Sequence, residues 1–278
     1  MTISDNVSLL RAHSLRAEVD RGRGLATIVL DDEEHHNTLP YPGRAAIAQL
    51  FEEFSADDAI RVVLLRGAGD RAFSAGGNIA QFMETDPEAL SDLARNVGAP
   101  ERCPKPVIVR LTGFTFGVGL EISLACDFRV ASETTQLGLP EIKLGMIPGS
   151  GGSQRVARIA GLGRAKDMVM RGRRIPAAEA FAWGLLTSVH PVAELDAAVN
   201  ALADELLALP APALRAAKRV LNSAYEAPLS VSMDLEGREY GRLRSTPDFA
   251  EGVAAFGEKR PPRFPSQHDR SASNGATR

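Results

Sequence analysis

Residues 106–127 read Pro-Val-Ile-Val-Arg-Leu-Thr-Gly-Phe-Thr-Phe-Gly-Val-Gly-Leu-Glu-Ile-Ser-Leu-Ala-Cys-Asp: a short apolar run, a glycine-punctuated turn, then a second apolar stretch. The continuous run Pro106–Leu111 predicts a strand covered on both faces. Gly113–Gly119 then opens a helix carrying Glu121, Ile122, Leu124 and Ala125, and Asp127–Ala131 returns to strand. The same order stands upstream, where Val62-Val63-Leu64-Leu65 precedes the glycine-rich turn Ala72-Phe73-Ser74-Ala75-Gly76-Gly77-Asn78 and a further helix. Before it, Gly43–Phe54 repeats Ala46, Ile47, Leu50, Phe51 and Phe54 at helical spacing, with Ser55 to Asp58 ending the helix. Ala17–Asp20 and Leu25–Leu30, flanking Arg-Gly-Arg-Gly at 21–24, read as a hairpin.

Beyond about Ser150 the pattern turns helical. The stretches are Val156 to Met170, Pro176–Trp183, Glu194–Leu209, Ala213–Tyr225, Val231–Leu243 and Asp248–Phe256, with Pro210 and Pro212 breaking the run. The class is therefore α/β passing into an all-α C-terminal part. No fixed-period repeat and no linker separates folding units.

The 278 residues are 44% hydrophobic and 24% charged, with a net charge of −3. No global field draws the chain to nucleic acid or to an anionic membrane, so an anionic ligand has to be held locally. Cys103 and Cys126 make no metal spacing and no disulfide framework, which suits a reducing cytoplasm. The first twenty residues carry acids and lack an apolar h-region, and nowhere do about eighteen apolar residues run together. Neither a signal peptide nor a membrane span is expected, and the cytoplasm is the expected location.

The chemistry centres on the two glycine turns. Glycine lets a ligand approach the backbone, and a helix N-terminus leaves amide donors unpaired, so two such turns can converge on one oxygen as an oxyanion hole. Neither matches G-x-x-x-x-G-K-[ST], and Gly117-Val118-Gly119 lacks the third glycine of a dinucleotide fingerprint. Two acids lie close by in apolar surroundings: Glu121, just inside the helix after the second turn, and Glu141, after Pro140. Desolvation raises a carboxyl pKa toward neutrality, which suits general acid–base work. Singly, each reads better as a structural acid, Glu121 complementing its helix dipole and Glu141 pairing with Lys143.

Taken in order, these segments resemble the enoyl-CoA hydratase/isomerase (crotonase) family. The residues that carry the resemblance are Asn37, Val62–Asn78, Lys105-Pro106-Val107, Gly113–Asp127, Leu139-Pro140-Glu141, Gly145–Arg155 and, near the end, Ala255–Arg260 with Pro262 and Phe264. The resemblance implies a spiral of ββα units over residues 1–200 that holds the CoA and catalytic sites. It further implies a C-terminal α-helical trimerisation region over 201–264; the polar tail 265–278 reads as disordered. It puts the oxyanion amides on Gly77 and Val118 and the two hydratase glutamates on Glu121, which would hold water, and Glu141, which would deliver a proton to the alpha carbon. Coenzyme A would run along Ala75, Gly76 and Gly77, with Asn78 and Ile79 following. His36, beside His35, stands where relatives often place Lys or Arg, and Lys259 could reach a neighbouring subunit's ligand. The acyl pocket would be walled by Ile79–Ala94, Phe114 and Phe116. The implied partner is an acyl-CoA substrate, with coenzyme A part of the substrate and no metal or redox cofactor, no nucleic acid and no membrane; the implied assembly is a homotrimer or homohexamer.

The chain departs from the family pattern at three places. Val118 replaces the middle glycine of the second turn, Asn78 an aspartate, and Asp-Glu-Glu-His-His at 32–36 an Arg-Pro-Glu-Lys. Retention of both acids favours hydration of an enoyl-CoA over double-bond isomerisation, C–C cleavage or thioester hydrolysis on the same scaffold. The run Arg164, Lys166, Arg171, Arg173 and Arg174 raises an RNA-binding alternative, but it lacks interleaved aromatics and reads better as a solvated face. A catalytically silent thioester-binding scaffold is the third reading.

Overall fold

The computed structural model describes residues 13–79 and 93–268. Its strands are β1 (Leu15–Asp20), β2 (Leu25–Leu30), β3 (Val62–Gly67), β4 (Ala72–Ser74), β5 (Val107–Leu111), β6 (Phe114–Phe116), β7 (Phe128–Ser132), β8 (Gln136–Gly138), β9 (Arg174–Pro176) and β10 (Ser188–His190). They form two sheets, a six-stranded one in the order β1-β2-β3-β5-β7-β10 and a four-stranded one in the order β4-β6-β8-β9. From β3 to β8 the chain alternates between them: β3, β5 and β7 lie parallel in the large sheet, and β4, β6 and β8 lie parallel in the small one. Each passage leaves the large sheet, crosses the small one and returns, which is the ββα spiral expected.

The apolar runs are continuous because both faces of the large sheet are covered. Val63 and Leu65 of β3, with Val107, Val109 and Leu111 of β5, enter the main core. Val62, Leu64 and Ile108 point the other way, into a second cluster with Leu195, Val199, Ala203 and Leu206.

The helices are α1 (Tyr41–Ala56), α2 (Leu93–Val97), α3 (Ala99–Arg102), α4 (Val118–Leu124), α5 (Gly152–Ala160), α6 (Leu162–Arg171), α7 (Ala177–Ala182), α8 (Val192–Leu207), α9 (Ala211–Ser223), α10 (Leu229–Arg244), α11 (Pro247–Glu258) and α12 (Pro265–His268). The cluster over the large sheet is supplied by α8. Lys218 of α9 anchors the C-terminal helices, donating from Nζ to the Asp127 carboxylate at 2.7 Å and to the carbonyls of Pro100 and Lys105 at 2.8 and 3.0 Å. Among the described residues no single helix is long and apolar enough to cross a membrane.

Three readings of the sequence need correction. Phe114–Phe116 is not the approach to a helix but β6, hydrogen-bonded between β4 and β8. The part after Ser150 is not wholly helical, because β9 pairs antiparallel with β8 and β10 pairs parallel with β7. All three strands have three residues, too few to leave an alternating pattern. Pro265–His268, assigned by composition to a disordered tail, is a helical turn whose Ser266 N–H donates to Asp248 at 3.0 Å; residues 269–278 lie outside the described residues.

Candidate active site

The first glycine turn is held from behind by the segment after β2. Ala75 N–H donates to the His36 carbonyl at 2.9 Å, and Leu39 N–H donates to the Gly76 carbonyl at 2.8 Å. Asn37 is buried at the crossing. Its Nδ2 donates to the carbonyls of Ala68 and Ala72, and its Oδ1 accepts from Asp32 N–H. Asn37 thus positions the turn rather than any ligand. The N–H groups of Ala75 and Gly76 are both spent inside the protein, the latter on Ser74 Oγ at 3.2 Å. Gly77 N–H has no acceptor among the described residues.

The second turn runs from β6 into α4. Gly117, at φ +52°, donates to the Gly138 carbonyl at 3.0 Å and caps α4, a backbone region that disfavours any residue with a Cβ. Val118 is the first helical residue and lies outside the positive-φ set, so valine is unstrained there. As an amide in the first turn, its N–H has no intrahelical acceptor. The turns touch: a Cβ built on Gly76 would lie 3.3 Å from the Phe116 carbonyl oxygen, and one on Gly117 would lie 3.7 Å from Gly76 Cα. Gly77 and Val118 therefore follow directly on two backbones in van der Waals contact.

A cavity of about 160 Å³ opens here, lined by Ala75, Gly76, Gly77, Val118, Glu121 and Glu141 among others. The two carboxylates are held differently. Glu121 is 3% exposed, and its Oε1 accepts from Ser150 N–H at 2.7 Å and from Gly152 N–H at 3.0 Å. Burial raises its pKa, against the opposing pull of those two amides and of Arg44 and Arg155. Glu141 sits in a 3-10 turn over Pro140–Leu144, with Oε1 so close to Gly117 that a Cβ there would approach it to 3.1 Å. Its Oε2 is buried without a hydrogen-bond partner. Burial first, and then the neighbouring Glu121, pushes its pKa up to about 7. One acid is fixed as an acceptor, and the other can take or give a proton near neutrality.

Other predicted site residues fall elsewhere. Ile79 lines the cavity at 57% exposure; the expected pocket wall continues into residues 80–92, outside the described residues. Exposed Asn78 does not line the cavity. Nor do Phe114 and Phe116: their rings stack on each other at 5.4 Å, with the Arg174 guanidinium 5.8 and 5.0 Å from their centroids and the His36 ring edge-on to Phe114. His35 is exposed and ion-paired to Asp32 at 2.8 Å. Lys259 is an exposed helix cap on α11. Of the basic run, Arg171 and Arg173 are paired with Asp167, Arg173 also with Glu179, while Arg164 faces Trp183. Tyr41 and Arg44 also line the cavity and were missed in the sequence. Arg44 shares the buried face of α1 with Ile47 and Phe51, and its three- and seven-residue spacing from them is the signal that could have found it.

Comparison with known proteins finds relatives that match along most of the chain. The profile of the Enoyl-CoA hydratase/isomerase family matches residues 20–267. An enoyl-CoA isomerase/hydratase of Mycosarcoma maydis is 37% identical, over 87% of this chain and 92% of its own length. A crotonyl-CoA hydratase of Syntrophomonas wolfei is 33% identical, over 90% and 97%. The crystal structure of an enoyl-CoA hydratase from Bacillus anthracis superposes with a TM-score of 0.84 at 33% identity, covering 90% of this chain and 98% of that one.

Proposed function

Because the chain belongs to the enoyl-CoA hydratase/isomerase family, we propose that it adds water across the 2,3 double bond of an enoyl-CoA to give a 3-hydroxyacyl-CoA, and catalyses the reverse dehydration. The observation that carries this reading is the pair of unlike carboxylates, Glu121 and Glu141, on one cavity beside the amides of Gly77 and Val118.

The thioester carbonyl accepts hydrogen bonds from the Gly77 and Val118 amides, an oxyanion hole that polarises the conjugated double bond. Glu121, its Oε1 tied to Ser150 and Gly152, uses its other oxygen to orient a water and accept its proton as the water oxygen bonds to C3. Charge builds on the carbonyl oxygen as an enolate, which the two amides stabilise; one such donor is typically worth ~3 kcal/mol. Glu141 then delivers its proton to C2. Glu121 leaves protonated and Glu141 ionised, and proton transfer between them through water resets the pair. The reaction calls on acid, base and amide donors, with no metal or redox group, and coenzyme A enters as part of the substrate.

Gly152 is a sensitive point in this scheme. A Cβ there would lie 2.9 Å from Glu121 Cγ and 3.0 Å from Leu139 Cδ2, so Gly152→Ala displaces the carboxylate. Misplacement on the ångström scale can cost about a hundredfold; steady-state kinetics are expected to show a kcat loss of ~10- to 100-fold with a circular dichroism spectrum unchanged. The function itself is tested by following loss of the conjugated enoyl-thioester absorbance together with the product's mass. Gain of one water by straight-chain, branched or cyclic enoyl-CoA is expected, and absence of turnover across that set contradicts the reading.

Assembly as a homotrimer or homohexamer is supported by the apolar side chains that α10 and α11 leave uncovered, among them Leu229 at 76% and Phe256 at 89% exposure. The free, buried Cys103 and Cys126 fit a cytoplasmic location.

A further inference from the structure

Arg44 lines the same cavity, and its charge favours the ionised form of Glu121 from a distance. It is 5% exposed, in the first turn of α1, with its guanidinium carbon 4.5 Å from the centroid of the Tyr41 ring. Its Nε is buried with no acceptor, and among the described residues no carboxylate lies within ion-pair distance of it. Among the described residues the other buried cations each have a carboxylate or carbonyl partner, as Lys105 has in the carbonyls of Phe54 and Asp57. Arg110 is held by Asp70 and Asp196, Lys218 by Asp127, and Arg129 by the carbonyls of Leu185 and Cys126. Arg155, whose charge also reaches Glu121, is already paired with Glu101 at 2.7 Å. Glu121 acts on Arg44 only through space: its Oε1 is committed to two backbone amides, and no hydrogen bond or ion pair joins the two side chains.

An arginine stays charged in a protein, and a buried charge without a partner is unfavourable. Among the described residues Arg44 has no such partner, and a ligand in the cavity it lines can supply one. The planar fork of a guanidinium matches a carboxylate with two parallel hydrogen bonds, and an aromatic ring under it fixes its plane. We propose that Arg44 is a specificity residue that binds a carboxylate at the far end of the acyl group, so that the preferred substrate is a CoA monothioester of an unsaturated dicarboxylic acid. The proposal rests on the hydratase reading of this site. A neutral acyl chain leaves Arg44 buried and unpaired, so discrimination comes as much from this penalty as from the new bonds.

The test uses two kinds of probe. Saturated CoA monothioesters of four-, five- and six-carbon dicarboxylic acids are compared with their terminal carboxamides by calorimetry, which requires no turnover. The wild-type protein is expected to bind at least one carboxylate about thirtyfold more tightly than its carboxamide, with Arg44→Gln reducing that preference to about threefold or less and Arg44→Lys keeping part of it. Equal affinity within every wild-type pair overturns the proposal, and so does a preference that survives in Arg44→Gln. The corresponding 2-enoyl thioesters are then assayed for kcat/KM, where the same preference is expected. Turnover of carboxylates and carboxamides alike removes the role of Arg44 and leaves the hydratase reading standing. A binding preference with no hydration of any probe removes the hydratase reading and leaves Arg44 as the carboxylate site.

Discussion

Glu141→Gln is expected to lower kcat for hydration by about a hundred- to ten-thousandfold, the range that a positioned general acid supplies, with KM changed little. Glutamine keeps the shape of the side chain but has no proton to give C2. The pH dependence carries the same information. The Glu141 carboxyl is pushed up to about 7, and hydration needs it protonated, so kcat/KM for hydration is expected to fall as pH rises through about 7. Dehydration starts from the other singly protonated form, with Glu121 protonated and Glu141 ionised, whose share of the free enzyme follows the same pH profile, so its kcat/KM is expected to fall over the same interval. The acid limb of hydration belongs to the Glu121 side of the pair, which has to be ionised to accept a proton from water, and the two limbs report the coupled pair. In Glu141→Gln the fall near pH 7 disappears. A variant that retained it would assign that titration to another group.

Glu121→Gln is expected to cost a similar factor in kcat, for a different reason. The amide oxygen of glutamine can still accept from Ser150 and Gly152, so the loop from Ser150 to Gly152 stays in place while the acceptor for the water proton is lost. The two variants are distinguished by exchange of the C2 protons of a saturated acyl-CoA with deuterated water, a step that uses Glu141 and the oxyanion amides but no attacking water. Exchange is expected to persist in Glu121→Gln and to be lost in Glu141→Gln. The reverse pattern would exchange the two roles. The double variant is expected to be little slower in hydration than the worse single one, since residues acting as a unit are non-additive.

How much of this was legible depended on the length of each signal. β3 and β5 stood out because strands covered on both faces keep an uninterrupted apolar run, with Val63 and Leu65 turned to one core and Val62 and Leu64 to the other. β6, β9 and β10 did not, because three residues carry no period and their pairing is decided by neighbours distant in the chain. Glu121 and Glu141 were legible as a pair, by placement after glycine turns and by resemblance. Their different roles came with the resemblance, but the physical basis of the difference was not legible. It arises from the amides of Ser150 and Gly152, which fold back onto Glu121 from about thirty residues along the chain, while Glu141 keeps one buried oxygen unpartnered. Phe114 and Phe116 looked like pocket walls because they sit in the second glycine turn; as part of β6 they stack with Arg174 instead. Arg44 was passed over because a cation in an amphipathic helix ordinarily marks the solvent face, and only its spacing from Ile47 and Phe51 argued otherwise.

The central claim is that this cavity joins the oxygen of water to C3 and a proton to C2. The most direct measurement is the isotopic content of product formed from a trans-2-enoyl-CoA in water enriched in oxygen-18 and deuterium. The account predicts one oxygen-18 at C3 and one deuterium at C2 in each product molecule, both arriving at the rate at which the enoyl absorbance is lost. Deuterium incorporation with migration of the double bond and no oxygen-18, or oxygen-18 in a released carboxylate, would contradict it.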